Sequence, residues 1–508
     1  VTFIGQSYAD PFLKQITVRV SEIRLLGFLY LCELSALLIV LALYRLNTKP
    51  DLLSFLASGA GFFCLGGFGI FVVSTAFIIH QLRNSRSRQL VLTILMNLIT
   101  VTILMGSGEL FIRIFSVQTP TGIEFGNLLL HPRSWQNLAT RYINTRATAS
   151  GNTNSPGPTY HVYDGLLGWT VGPNRRSENG LYVSGIEGIR SPRESMVFAD
   201  HSATYRIALV GDSFTFGDEV SYEESWGHQL ERNLGPEFQV LNFGVSGYGT
   251  DQAYLRYKRD VRTWRPDIVI FGLISDDLLR NMTVYPLLMW PGTGVPGAKP
   301  RFVLKEKQLV ALNIPPLTAE EIVSRGSIRD LPFVEHDRNF HSTEWERPHW
   351  RYFHLSYLFR FLISWYPPWD GPREHVSDAA MEALARELLH SFVQLATAAG
   401  SIPIVVFFPD HSELNDSSSH ATRHVPLGLR VMRDAGIEHT NLTPCLSEVN
   451  TSDRFVNGKN LHYLPKENTA VAKCLHKVVL NHLSKRKQRT GVLKTHTDVR
   501  SSQNRGIN

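Results

Sequence analysis

The chain has 508 residues, 43% of them hydrophobic and 19% charged, a balance that excludes wholesale disorder and leaves room for more than one folded unit. Its formal charge of +6 does not describe a basic face. The stretch from Lys485 to Asn508 carries seven Lys/Arg and one Asp, which accounts for the whole surplus, so the rest is balanced and no nucleic-acid partner is implied.

The N-terminal quarter reads as membrane. Leu52 to Ile79 is 28 residues without a charge and Leu90 to Gly108 is another 19, against the ~20 apolar residues that a helix needs to cross a bilayer. Leu25 to Tyr44 is similar apart from Glu33, expected to face a neighbouring helix or to sit protonated. Arg83, Arg86 and Arg88 fill the link between the second and third spans with no acid among them. The positive-inside rule then puts that link in the cytoplasm and everything after about residue 116 outside. Three spans and an extracytoplasmic remainder are expected. Cys445 and Cys474 form the only pair in that outer part, where an oxidising compartment allows a bridge; two buried free thiols fit the sequence equally well.

Residues 148 to 159, "TASGNTNSPGPT", read as a linker or exposed loop. The glycine-punctuated segments after it, "YDGLLGWTVGPN" and "GLYVSGIEGIRS", read as short hairpins packing on the main domain. From Tyr205 the pattern turns regular. Apolar runs of strand length, "YRIALV", "FQVLNF", "DIVIFGLI" and "IPIVVFF", alternate with amphipathic stretches at 250–264, 377–399 and 465–484. This predicts a parallel sheet with helices on both faces, and ligands at the carboxyl ends of its strands.

Those strand ends hold the chemistry. The first run ends in Gly211, Asp212 and Ser213, the second in "NFGVSGYGT" at 242–250, and the third in "ISDDLLRN" at 274–281. "NGKNLHYLP" places His462 just before the last helix. A serine on a tight turn at a strand end has an exposed hydroxyl suited to nucleophilic attack, although Ser there also caps helices and a late His is open to a structural role. Asp410 and His411, ending "VVFF", are the reserve acid and base. No metal-ligand spacing and no cofactor motif stands out.

G-D-S-F-T-F-G after a strand, V-S-G-Y-G after the next, D-D-L at the third and a late His together resemble the SGNH/GDSL hydrolases. "LGW", "NFGVSGYGTDQAYLRY" and "RPDIVIFG" are similar to the membrane-anchored bacterial members. The resemblance implies a three-layer α/β/α, flavodoxin-like parallel sheet, with Ser213 as nucleophile and His462 as base. It also implies an oxyanion site built from the amides of Ser213 and Gly247 and an Asn side chain.

The sequence departs from that pattern twice. Asp276 stands at the Asn position, and Lys459 stands where the family has an Asp three residues before the His. Losing an oxyanion donor costs about 2.7 to 4 kcal/mol. A protonated Asp276, favoured by burial beside Asp277, restores a donor; otherwise Asn281 or Ser275 takes the place, and Asn457, Asn460 or Asp453 stands in for the missing acid.

The expected layout is a cytoplasmic segment (1–23), three membrane helices (24–116), a lead-in (117–202), a hydrolase-like domain (203–484) with an insertion at about 286–376 shaping access to the strand ends, and a disordered basic tail (485–508). The resemblance implies a membrane-anchored serine esterase acting on an acylated carbohydrate or lipid. An acyltransferase modifying surface glycan and a degenerate glycan- or protein-binding module are the alternatives. The oligomeric state is not legible.

Overall fold

The computed structural model describes residues 27–37, 39, 72–73, 75–76, 79, 87–119, 121–149, 160–200, 203–365, 373–418, 425–449 and 462–503. They fall into two compact units, 1–135 with 341–372, and 136–340 with 373–508.

The second unit is built on five strands: β1 (Tyr205–Val210), β2 (Phe238–Asn242), β3 (Ile268–Leu273), β4 (Ile402–Phe407) and β5 (His439–Asn441). All pair in parallel, in the order β5-β4-β3-β1-β2, with Ile207 of β1 opposite Val240 on one side and Ile268 on the other. The flanking helices are α1 (Ser213–Phe216), α2 (Trp226–Leu234), α3 (Thr250–Arg259), α4 (Asp276–Arg280), α5 (Asp378–Ala398), α6 (His411–Ser418), α7 (Leu427–Asp434) and α8 (Pro465–Gln503).

The unbroken apolar runs of the strands follow from burial on both faces. Ala208, Val210, Val269 and Phe271 pack with Tyr257, Leu388 and Val431 of α3, α5 and α7. Their neighbours Ile207, Leu209, Ile268 and Ile270 pack with Trp226, Leu230, Leu475 and Val479 of α2 and α8. The result is the expected three-layer sheet in flavodoxin-like order, with its topological switch point between β1 and β3. The lead-in supplies a hairpin, His161–Asp164 paired with Gly168–Val171, and antiparallel bridges Arg176–Val183 and Ser184–Arg190.

Three features differ from the sequence expectations or complete them. The basic segment after Lys485 continues α8 as far as Gln503, where a disordered tail was expected. The insertion is divided: residues 286–340 stay with the sheet, whereas 341–372 belong to the first unit. Cys445 and Cys474 form a disulfide with Cα atoms 6.5 Å apart, joining the short helix Thr443–Ser447 to α8.

In the first unit the helix Ser87–Phe115 leads into a three-stranded antiparallel sheet of Ser116–Gln118, Ile123–Phe125 and Leu128–Leu130. Its segment Val91–Phe115, with mean hydropathy 1.9, is the one helix among the described residues long and apolar enough to cross a membrane. Of the other two expected spans, Gly27–Leu37 is a shorter apolar helix, and 52–79 lies almost wholly outside the described residues.

Candidate active site

The abrupt stop of the apolar run in "RIALVGDSFTFGDEV" has its reason at the end of β1. Gly211 has φ 156°, and a Cβ there would lie 2.2 Å from Thr215 Oγ1 and 2.6 Å from the Gly272 carbonyl, so no side chain fits. Asp212 caps α1, its Oδ1 accepting the amides of Phe214 and Thr215. The cap falls to Asp212, which leaves the hydroxyl of Ser213 uncommitted to the helix. Gly217 then ends α1 in the left-handed region at φ 81°.

Ser213 Oγ lies 2.9 Å from Nε2 of His462. The ring reaches this place because its neighbours are pinned. Tyr463 is buried, donates its hydroxyl to the Pro409 carbonyl at 2.6 Å, and meets Phe214 edge-on at 4.9 Å. Pro465 opens α8, a position where its missing N–H is no loss. Asn468 in the first turn ties back to the Tyr463 carbonyl and accepts the amide of Trp226. His411, the reserve base, is committed elsewhere: its Nε2 contacts the backbone carbonyl of His462 at 3.1 Å.

The other ring nitrogen finds an acid that the motif pattern does not point to. His462 Nδ1 lies 3.0 Å from Oε1 of Glu219, and the His462 amide donates to Oε2 at 3.4 Å. Glu219 sits at φ 69°, rare for a side chain of its size, with its own amide held by the Tyr182 hydroxyl at 2.8 Å. Asp218, beside it, accepts from Ser246 Oγ at 2.9 Å and lies 3.9 Å from Nε2. Burial pushes the Asp218 carboxyl up, and the neighbouring His462 acts against that rise. Lys459, Asn457, Asn460 and Asp453 lie outside the described residues.

The two expected amide donors come from adjacent strand ends. Neither the Ser213 nor the Gly247 N–H has a backbone acceptor among the described residues. Gly247 has φ 80°, and its loop is fixed by buried Trp169, whose indole N–H donates to the Ser246 carbonyl at 3.1 Å while its own carbonyl accepts the Tyr248 hydroxyl. "LGW" therefore acts on the site at one remove.

The expected third donor is placed differently from its alternatives. Asp276 is exposed at the start of α4, and burial falls instead on Asp277, whose carboxyl is driven well above the carboxylate range by desolvation and by the charge of Asp212. Asn281 is occupied with the start of α3, accepting the Asp251 amide and donating to Thr250 Oγ1. Ser275 donates to Glu413 and accepts the Gly428 amide. Arg280 is a further residue that no motif marks: its Nη1 meets Asp277 at 2.8 Å and Asp212 at 3.4 Å, and its guanidinium lies 5.4 Å from the Trp290 ring centroid.

These groups converge on a cavity of about 510 Å³ whose walls include Ser213, His462, Gly247, Asp276, Arg280 and Trp290. A nucleophile, a base within hydrogen-bond reach and free amides on one cavity form the arrangement for acyl transfer. Residues 207–312 match the model of the GDSL-like lipase/acylhydrolase family. The chain carries a GDSL-type domain.

No curated protein matches the chain. Among solved structures it is similar to the lipase/acylhydrolase from Enterococcus faecalis (12% identity, 55% of this chain and 96% of that one, TM-score 0.28). It is also similar to an acetylxylan esterase mutant from Geobacillus stearothermophilus (13%, 54% and 94%, 0.28) and to a psychrotrophic esterase from Pseudoalteromonas sp. (11%, 55% and 99%, 0.28).

Proposed function

We propose that the protein is a membrane-anchored serine ester hydrolase acting on an acylated extracytoplasmic carbohydrate. The observation that carries the reaction is the continuous hydrogen-bonded line Ser213–His462–Glu219 at the cavity wall. His462 Nε2 takes the Ser213 proton as Oγ attacks the ester carbonyl, and the amides of Ser213 and Gly247 receive the developing oxyanion. On collapse His462 returns the proton to the departing alcohol oxygen, leaving Ser213 acylated. Water, deprotonated by the same nitrogen, then attacks the acyl carbon, and His462 hands the proton to Ser213 Oγ as the C–Oγ bond breaks and the acid leaves. Glu219 keeps Nδ1 protonated and stabilises the charged ring.

The substrate reading rests on the walls. Polar Asp218, Ser246, Asp276, Asp410 and Ser412 line the cavity together with apolar Phe214, Ile274 and Trp290, so that hydrogen-bonding groups for sugar hydroxyls stand beside flat apolar surface for a sugar ring or a short acyl group. The apolar helix Val91–Phe115 supports the anchor, and the Cys445–Cys474 bridge fits an oxidising outer compartment.

A fluorophosphonate probe tests the reaction class: the expected result is a covalent adduct on the peptide containing Ser213, located by mass spectrometry. Absence of an adduct in folded protein at every pH tried hands the site to the binding-module reading. Asp276→Asn is expected to raise kcat/KM for an acetylated sugar roughly threefold to tenfold, the size of removing one solvent-exposed like charge near a developing oxyanion. A fall in kcat/KM instead gives Asp276 a direct part in binding or turnover.

A further inference from the structure

The part of the insertion that joins the first unit has an exposed apolar face that no other described residue covers. We propose that Tyr352–Trp365 is an interfacial membrane element whose aromatic and apolar side chains enter the boundary between headgroups and acyl chains in the outer leaflet, beside the outer end of Val91–Phe115. This rests on reading that helix as a membrane span.

Val91 to Gly108 is 18 residues, which at ~1.5 Å per residue gives about 27 Å, close to the ~30 Å hydrocarbon thickness. Glu109 and Arg113, the next charges, therefore mark the outer boundary, and both hold the inserted segment. Glu109 accepts from Ser356 Oγ at 2.8 Å and from the amides of Tyr357 and Leu358 at 3.0 and 2.8 Å, capping the helix Tyr357–Trp365. Arg113 donates to the Leu355 carbonyl at 2.7 Å and lies over the Tyr357 ring. Gly108 leaves room for Leu358, whose methyls would stand 3.6 Å from a Cβ. From the other side Arg360 donates to the carbonyls of Leu130 and Pro132, and Ser364 accepts the His131 amide.

The segment is thus fixed at the level of the boundary, yet Tyr352, Leu355 and Trp365 are 79%, 66% and 70% exposed. A run of ring contacts, Phe115–Phe111–Phe125–Phe361–Trp365, makes the surface continuous from the end of the span to the end of the inserted helix. Tyr352 and Trp365, rings with one polar edge, stand in the same segment as the exposed cation of Arg351, a combination favoured where hydrocarbon meets headgroup phosphates. An aqueous surface rarely carries such a patch.

The test uses the full chain, with Cys32 and Cys64 changed to Ser, in phosphatidylcholine vesicles. Single cysteines at Leu98→Cys, Leu355→Cys, Trp365→Cys and Glu237→Cys carry an environment-sensitive fluorophore, and lipids bear a nitroxide at the headgroup, at a shallow or at a deep acyl carbon. The expected result is strongest deep quenching at 98, strongest headgroup or shallow quenching at 355 and 365 by at least about threefold over 237, and none of note at 237. Quenching at 98 without quenching at 355 and 365 overturns the inference alone. No quenching at 98 overturns the membrane-span reading itself. Labels at 355 and 365 shielded from aqueous iodide yet untouched by lipid nitroxides assign the face to a second protein copy or another protein, and that also overturns it.

Discussion

Replacing Ser213 by alanine is expected to lower turnover of an acetyl ester by on the order of 10⁴-fold or more, with the melting transition almost unchanged. The large kinetic effect follows from the covalent path: without Oγ the carbonyl has no positioned attacker, and what remains comes from the amides of Ser213 and Gly247 acting on water-driven hydrolysis. The small structural effect follows from the division of labour at the turn. Asp212 makes the capping bonds to Phe214 and Thr215, and the Ser213 hydroxyl is turned to His462. Steady-state rates on p-nitrophenyl acetate and an acetylated oligosaccharide, paired with circular-dichroism melting, check both halves. A folded Ser213→Ala protein that retains wild-type turnover places catalysis elsewhere on the chain.

The sheet was legible in the sequence because burial on both faces demands apolar runs, and four of its five strands coincide with such runs. The fifth, His439–Asn441, is three partly buried residues at the sheet edge, too short and too polar to show a pattern. Ser213 and Gly247 stand out in the sequence because turns at strand ends require particular residues at close spacing, whereas His462, 249 residues from the serine it meets, was pointed to by the family resemblance alone. Glu219 was in plain view six residues after the nucleophile, but its partner lies 243 positions away, and no local period records that meeting. With Lys459 at the usual acid position, two acids directly after Gly217 were the available signal. Asp276 shows the opposite limit: sequence adjacency to Asp277 suggested shared burial, whereas the first turn of α4 turns one outward and the other in toward Arg280. The split of the insertion was hidden for a similar reason, since Glu109 and the helix it caps are separated by about 250 residues.

Glu219→Gln is expected to reduce kcat by roughly 10²- to 10³-fold and to leave KM within about twofold. A carboxylate at Nδ1 does two things: it fixes the tautomer that leaves Nε2 free to accept the Ser213 proton, and it lowers the energy of the imidazolium formed at the transition state. An amide keeps the volume but loses the charge, and presents an N–H to Nδ1 as readily as an oxygen. A complete loss is not expected, because the Glu219 side chain is 32% exposed and water screens part of its charge. KM is insulated because Glu219 stands behind the ring and is not among the residues lining the cavity. Glu219→Asp restores the charge on a shorter arm and is expected to recover much of the lost kcat, since the backbone held by Tyr182 keeps the carboxylate on the same side of His462. A merely structural contact predicts another pattern: parallel losses in Gln and Asp variants, tracking a lowered melting temperature. Rates that fall only with charge, in proteins that melt like the wild type, assign to the loop after the nucleophile the orienting work that the family's pattern places just before the histidine.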